Sequence, residues 1–547
     1  MNGSYRHPAD ARLAASLLLL RDGSEGLELL MLRRAERHND RRSGAAVFPG
    51  GVLDARDRAA HAFTLGPGDV EASRLLGVAE GGLDFGIAAV RETFEEVGLL
   101  LAAGSASPDL LHDWRTRLQR GDAGAAEFCA ATGLKLDLRE LVYFAHWLTP
   151  PGPGKRFDTR FFAVAAPAGQ VAEADGTESL ELMWLTPAAA LAPALGLKLL
   201  PVTRVLLQRM TGFTRVGEAL AALRSAGPVS QVMPRRAIGP QGETVVLPHE
   251  YAYAEVARLD PEGRGDVHAM LVAGRAARLS PRVVRVTAPN PGPMTGPGTN
   301  SYLVGDGTRC TVIDPGPVSE EHLAALLAAA PGRIERILVT HTHRDHSPGA
   351  RALAQATGAP VWGRVAAHPA WQDESFSAVH APQHGERIDV GADATLRVLH
   401  TPGHASNHLC FLLEEEQLLF TGDHVMQGST VVINPPDGDM AVYLRSLNAL
   451  LDEDLQWLAP GHGFLVAEPQ AVLRSLIAHR LKREARVLAA LRAAGPAPLE
   501  ALVPHAYADV AATLHGVAQR SLLAHLLKLQ AEGAAAHDVA SDAWSAR

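Results

Sequence analysis

At 547 residues the chain is too long for one hydrophobic core, and about 150 residues per domain gives roughly three or four folding units. Its 47% hydrophobic and 20% charged residues exclude a disordered or fibrous protein, and a net charge of −9 excludes one that coats nucleic acid through bulk positive charge. Cys129, Cys310 and Cys410 stand far apart, which excludes a disulfide framework and a thiolate metal site.

The first predicted element is a strand over Leu13 to Leu20. Its apolar run is too short for a signal peptide core, and RDG follows at once. No apolar run approaches the roughly 18 residues of a membrane span. A cytoplasmic protein without a membrane partner is therefore expected.

Phe48-Pro49-Gly50-Gly51 makes a turn where backbone can approach a phosphate closely. A helix is predicted from about Ile87. At about 100° per residue Val90, Phe94 and Val97 share one face, with Glu92, Glu95 and Glu96 on the other. Clustered carboxylates repel one another unless a hard cation joins them, and oxygen ligands suit Mg²⁺ or Mn²⁺. Alone, such a run is more often a solvated helix face.

With the glycine turn upstream, the pattern from Gly51 through Arg91, Glu92, Glu95, Glu96 and Gly98 resembles the Nudix box. Asp57 stands where the box has its first Glu, and Thr93 where it has an aliphatic residue. Roughly 26 residues beyond the usual spacing separate Asp57 from Arg91. Together with FPGGVLDARD, WLTPPGPGKRFDTRFF and ESLELMWLTP, the interrupted box resembles the coenzyme A diphosphatase branch over about residues 10 to 225. That branch's upstream signature is partial: Arg34-Ala35 and Gly44 fit, and Asp40 stands near an expected Arg. The resemblance implies an α/β/α sandwich whose substrate is a small-molecule nucleotide or coenzyme A-type compound. It also implies that Glu92, Glu95 and Glu96 bind Mg²⁺ or Mn²⁺ and act in catalysis, with Glu178 as an extra ligand. Arg91 would orient the carboxylates through Asp57, and Lys155, Arg156 and Arg160 are candidate contacts to an anion.

Residues 226–281 are rich in Pro, Gly and Arg and read as a connector with some local structure. From Arg282 short β-branched strands alternate with turns and helical patterns, an α/β texture. His341, His343, Asp345 and His346 follow the strand ILVT and converge at its end. His404, Asp423 and His462 each follow a further strand, so seven potential ligands occupy strand ends, where side chains line a rim. Imidazole with carboxylate suits Zn²⁺ ahead of Mn²⁺ or Fe²⁺, and seven ligands suit two ions rather than one.

This pattern resembles the metallo-β-lactamase superfamily over about residues 282 to 480. The resemblance implies that His341, His343 and His404 hold one zinc ion and Asp345, His346 and His462 a second. Asp423 would bridge them, Asp345 would also act in catalysis, and a metal-activated water would hydrolyse an ester, thioester, amide or phosphodiester. His400 matches no ligand position and reads as structural; His424 reads either as a support for the ligands or as structural. PNPGPMTGPGTNSYLVG, VIDPG, TPGHASNHLCF and GSTVVINPPDGDMAVYLRSL are similar to the lactamase-like protein 2 group. That group contains endoribonucleases acting on single-stranded RNA, and thioesterases share its metal motif. Its members carry a C-terminal winged helix, which fits the helical pattern over 481–547. That segment is only slightly basic (Lys482, Arg483, Arg486 and Arg492 against Glu484 and Glu500) and reads as a packing or dimer element, so a homo-oligomer is allowed.

The expected architecture is a multidomain α/β chain. A Nudix sandwich spans 1–225, a connector 226–281, a metallo-β-lactamase αββα sandwich 282–480 and a small winged helix 481–547. The expected function is a bifunctional metal-dependent hydrolase, a diphosphatase fused to a binuclear-zinc thioesterase or RNA phosphodiesterase. The alternative leaves only the second half catalytic, with the Nudix half a ligand-sensing or structural module.

Overall fold

The computed structural model describes residues 7–35, 43–152, 154–174, 179–391 and 393–547. It divides into two compact units, Met1–Arg236 with Glu262–Arg264, and Ala237–Pro261 with Gly265–Arg547. Among the described residues no helix is long and apolar enough to cross a membrane.

The first unit is built on the strand Ala11–Gly23, which is buried from Ala14 to Leu20. It pairs in parallel with Arg156–Ala165, and antiparallel with Gly26–Arg34 and Gly50–Val52. The helix Gly82–Val97 lies between this sheet and a helical layer. Phe85, Ala88, Ala89 and Val97 pack with Leu17, Leu19 and Phe162 of the sheet. Leu83, Ile87, Val90 and Phe94 instead pack with Trp114 and Phe128. The apolar face read from the sequence thus divides between two cores, because the helix is covered on both sides. The residues that interrupt the Nudix box form the 3₁₀ helix Ala55–Phe63 and the helix Asp69–Leu76. They loop out and return, leaving Asp57 beside Arg91.

The second unit contains two six-stranded sheets, one from Ala276–Arg278 to Val361–Trp362 and one from Arg387–Gly391 to Val466–Ala467. Strand periodicity sorts their side chains. Tyr302 and Val304 face a shared core with Leu396, Val398, Phe411 and Phe420. Leu303 faces the opposite way, toward Leu326 and Leu353 of two covering helices. Leu412 and Leu419 of the other sheet likewise pack under Tyr443 and Leu447 of the helix Met440–Leu450. The result is an αββα sandwich, in which each fully buried large apolar side chain contributes about 1.5–3 kcal/mol.

The segment expected as a connector is in part folded into this unit. The helix Tyr253–Leu259 carries Glu255, which forms a buried, two-bonded ion pair with Arg285 at 2.7 and 2.8 Å. The helix Pro469–Ala494 runs through the 480/481 boundary. Leu473 packs on the second sheet, and Val487 and Leu491 join a separate terminal core. That core also takes the helices Leu499–Ala506 and His515–Ala531 and a hairpin, Ala535–Asp538 with Ala543–Ala546. The hairpin is the wing, which the residue pattern alone did not reveal.

Candidate functional site

In the first unit the glycine turn is bonded onto the sheet: Leu17 N–H and Ser16 Oγ–H both donate to Pro49 O at 2.9 Å. This carries Gly50 and Gly51 to the acidic helix. Gly50 N–H donates to Glu96 Oε2 at 2.9 Å, and a Cβ on Gly51 would lie 2.3 Å from the Glu92 carboxylate carbon. Arg91 is the hub. Its guanidinium donates twice to buried Asp57 at 2.8 and 3.1 Å, to Glu92 at 2.9 Å and to Glu95 at 3.0 Å. Asp57 thus anchors Arg91 between the glycine turn and the acidic helix. Burial pushes the Glu92 carboxyl up to about 7, the Arg91 charge opposing and the Glu95 charge reinforcing the rise. Burial also raises Glu95.

The three glutamates do not close into a ready cage. Among the described residues, the groups of three or more candidate ligand atoms within 4.8 Å of one another both lie in the second unit. Of the expected anion contacts, Lys155 is exposed and Arg156 pairs with Asp10 at 2.6 Å. Arg160 does not reach a surface: it is fully buried against Asp158 and His146. Glu178 and Asp40 lie outside the described residues.

In the second unit all seven expected ligands come together. His341, His343 and His404 form one group, and Asp345, His346, Asp423 and His462 the other. His343 Nδ1 stands 3.0 Å from His341 Nε2 and 3.1 Å from His404 Nε2. Asp423 reaches both groups. Its Oδ1 is 3.4 Å from His346 Nε2 and 3.3 Å from His462 Nε2, and its Oδ2 is 3.8 Å from His404 Nε2.

The outer nitrogens of these rings explain why the inner ones can accept a cation. His346 Nδ1–H donates to Asp314 Oδ2 at 2.8 Å, His404 Nδ1–H to Val432 O at 2.8 Å and His462 Nδ1–H to Gly298 O at 3.2 Å. Thr340 gives its hydroxyl proton to Asp314 and so takes that of His341 Nδ1 at 3.0 Å. Each bond fixes the tautomer that leaves a bare Nε2 facing inward. Three of the inward atoms, His346 Nε2, His462 Nε2 and Asp423 Oδ1, are buried without a hydrogen-bond partner. Buried polar atoms without partners cost about 1–3 kcal/mol each, which a divalent cation would relieve. The donor set therefore fits metal.

The electrostatics divide the two groups: the first favours neutral rings, and the second draws positive charge, a proton or a cation, toward its carboxylates. Burial pushes His341 well below the usual imidazole range and His343 down to about 3. Burial opposes the charge on His346 and His462 too, but the facing Asp345 and Asp423 carboxylates outweigh it. They hold His346 well above its usual range and His462 at about 9. Asp423 in turn is held well below the carboxylate range by His462 and His346, against its burial.

His400 stays outside both groups. His424 is fully buried, its ring 5.0 Å from Tyr443, and joins neither. The residue reading did not single out three supports. Asp314 and Thr340 brace the ligand strand, and buried His408 lies behind it, its ring 5.0 Å from His341. Asp314 directly follows a strand in VIDPG and His408 directly precedes one in SNHLCF, so the signal was a polar residue flanking an apolar strand run.

A family model for the Metallo-beta-lactamase superfamily matches residues 294–462. One for the NUDT19 Nudix domain matches 78–194, and one for the Beta-lactamase associated winged helix domain matches 499–544. An atrochrysone carboxyl ACP thioesterase from Aspergillus chevalieri is 37% identical over 225 residues, 39% of this chain and 67% of the relative. For further fungal thioesterases of that name the chain spans 64 to 66% of their length. A beta-lactamase-like protein 2 homolog from Drosophila melanogaster is 31% identical over 48% of this chain and 93% of its own. A metallo-beta-lactamase family protein from Thermus thermophilus aligns at 24% identity and a TM-score of 0.43, covering 49% of this chain and all of that one.

Proposed function

We propose that this chain, which belongs to the metallo-β-lactamase superfamily and carries a Nudix domain ahead of that fold and a winged helix behind it, is a hydrolase with two reaction centres. The histidine centre cleaves a thioester with two Zn²⁺ ions, and the Nudix centre cleaves a diphosphate with Mg²⁺ or Mn²⁺. One observation carries the first reading: two groups of bare ligand atoms stand side by side and share Asp423. When bound, the two ions supply Lewis acidity, which lowers the pKa of a water and offsets the negative charge that develops on the substrate.

The chain's own residues do the rest. Asp314, Val432 and Gly298 orient His346, His404 and His462 before any substrate arrives. Asp423 fixes the spacing of the two groups. Asp345, held ionised by His346 and His462 and 27% exposed at its side chain, faces solvent and can take a proton. The thioester choice rests on the names of the fungal relatives and on the acidic net charge, which disfavours RNA. Acyl-coenzyme A would then link the two centres chemically, its thioester to one and its diphosphate to the other.

The test is to give the full chain acyl thioesters and single-stranded RNA side by side, with His343→Ala as control. Thioester turnover lost in the variant supports the reading, and RNA cleavage alone overturns it. A second reading, in which the Nudix domain only senses a ligand, is favoured by the engaged state of its glutamates. Glu95→Gln in the full chain separates the two: the enzyme reading requires a Mg²⁺-dependent diphosphatase that this change abolishes.

A further inference from the structure

The two ligand groups differ in part in what supports them. His346 and His462 are held from within the sandwich, by Asp314 and Gly298 O, and Asp314 also reaches His341 through Thr340. Further supports of the His341, His343 and His404 group lead to the C-terminal helices. Arg480, only 3% exposed, projects from the long helix Pro469–Ala494 and donates to Val431 O. Val432 O, one peptide further on, accepts the Nδ1–H of His404 at 2.8 Å. A second contact comes from the helix His515–Ala531, whose Arg520 guanidinium lies 4.7 Å from the Trp371 ring centroid. Trp371 has a positive φ of 69°, and the two residues after it grip the ligand strand. Thr342 Oγ–H donates to Gln372 Oε1, and Asp373 N–H to Thr342 O, both at 2.6 Å. Thr342 lies between His341 and His343.

We propose that Arg480 is a positioning residue for His404, and that the terminal domain, through Arg480 and Arg520, sets the geometry of the His341, His343 and His404 group while leaving the other group alone. This rests on reading the two groups as metal sites. The physical reason is the cost of breaking a charge-assisted bond inside the protein. Arg480 pins the Val431 carbonyl, and the same peptide carries the Val432 nitrogen, so this segment cannot shift without stranding a buried guanidinium donor. With that anchor lost, Val432 and its own carbonyl in the next peptide are free to move, which releases the His404 ring and its tautomer. The terminal domain is then a working part of the metal centre rather than an appended module.

The experiment loads the full chain with cobalt(II) and withdraws it with a chelator, following the visible absorption of the ions. His404→Ala marks which step belongs to the first group. Arg480→Lys is expected to release that ion at roughly tenfold lower chelator concentration, the low end of what outer partners contribute. The other ion should be unmoved. Arg520→Ala, at a partly exposed position, should shift the same step by less, and it carries the test if Arg480→Lys does not fold. Arg483→Gln is the control. Arg483 is also buried on the same helix but bonds Ala506 O and Asp509 of the terminal segment. Release as in the unaltered chain by both Arg480→Lys and Arg520→Ala overturns the proposal. So does an equal shift in Arg483→Gln, which would show only a loosened terminal domain. An unaltered chain that holds fewer than two ions removes the underlying reading, and the proposal with it.

Discussion

Asp314→Asn changes one atom of the site and tests how its imidazoles are set. Asp314 accepts three hydrogen bonds: Thr340 N–H on Oδ1 at 2.7 Å, and on Oδ2 Thr340 Oγ–H at 2.7 Å and His346 Nδ1–H at 2.8 Å. An amide has a single acceptor oxygen, so one of these two places becomes an NH₂ donor. If the NH₂ meets Thr340 N–H, two buried donors face each other, a loss of about 1–3 kcal/mol. If it meets His346, the ring must accept at Nδ1 and carry its proton on Nε2, the atom that faces Asp423. Replacing such an outer partner typically lowers metal affinity about 10–100-fold, about 1.4–2.8 kcal/mol. Competition between the protein and a chromophoric chelator measures this ion by ion, with circular dichroism confirming the fold. The ion of the His346 group should weaken by that factor, and the ion of the His341 group, which Asp314 reaches only through Thr340, by less. If Asp314→Asn binds both ions as the unaltered chain does, Asp314 does not set the His346 tautomer.

Three further outcomes are expected. Gly51→Ala places a Cβ against the Glu92 carboxylate and should lower diphosphatase turnover about 10²-fold while moving stability by less than about 1 kcal/mol in urea unfolding. Glu255→Ala leaves Arg285 buried without its partner and should destabilise the second unit by about 3–5 kcal/mol; a change below about 1 kcal/mol would show that the helix Tyr253–Leu259 is not part of its core. Asp158 gives a pH test: burial opposes its charge, but His146, Arg160 and His7 outweigh burial and hold its carboxyl well below the usual range. The unfolded chain takes this proton near pH 4 and the folded one only below it, so the stability is present above that pH and lost progressively as pH falls. Asp158→Asn should be less stable but flatter between pH 5 and 3, and an unchanged slope would place the acid sensitivity elsewhere.

The ligands were legible because each is a strongly polar residue shortly after an apolar strand run, a pattern that neighbouring residues reveal by themselves. The pairing of the ligands with their supports was not. Asp314 meets His346 across 32 positions and Arg480 meets Val431 across 49, and no local spacing encodes such a pairing. The acidic helix was read correctly as a helix, but a second covering layer hid from a reading that assumed one buried face. Arg160 looked like a surface cation because its neighbours Lys155 and Arg156 are polar. Strand alternation instead turns it inward, where Asp158 stands two positions away on the same face. The Pro- and Gly-rich stretch before Arg282 resembled a connector because a buried ion pair that ties it to the sheet, Glu255 with Arg285, spans 30 residues.

Elemental analysis of the purified, folded full chain decides whether its second half holds two metal ions. About two transition-metal ions per chain are expected, fewer in His343→Ala and Asp423→Ala. A well-folded chain that retains none, and takes up none when zinc is supplied, would contradict a two-ion centre.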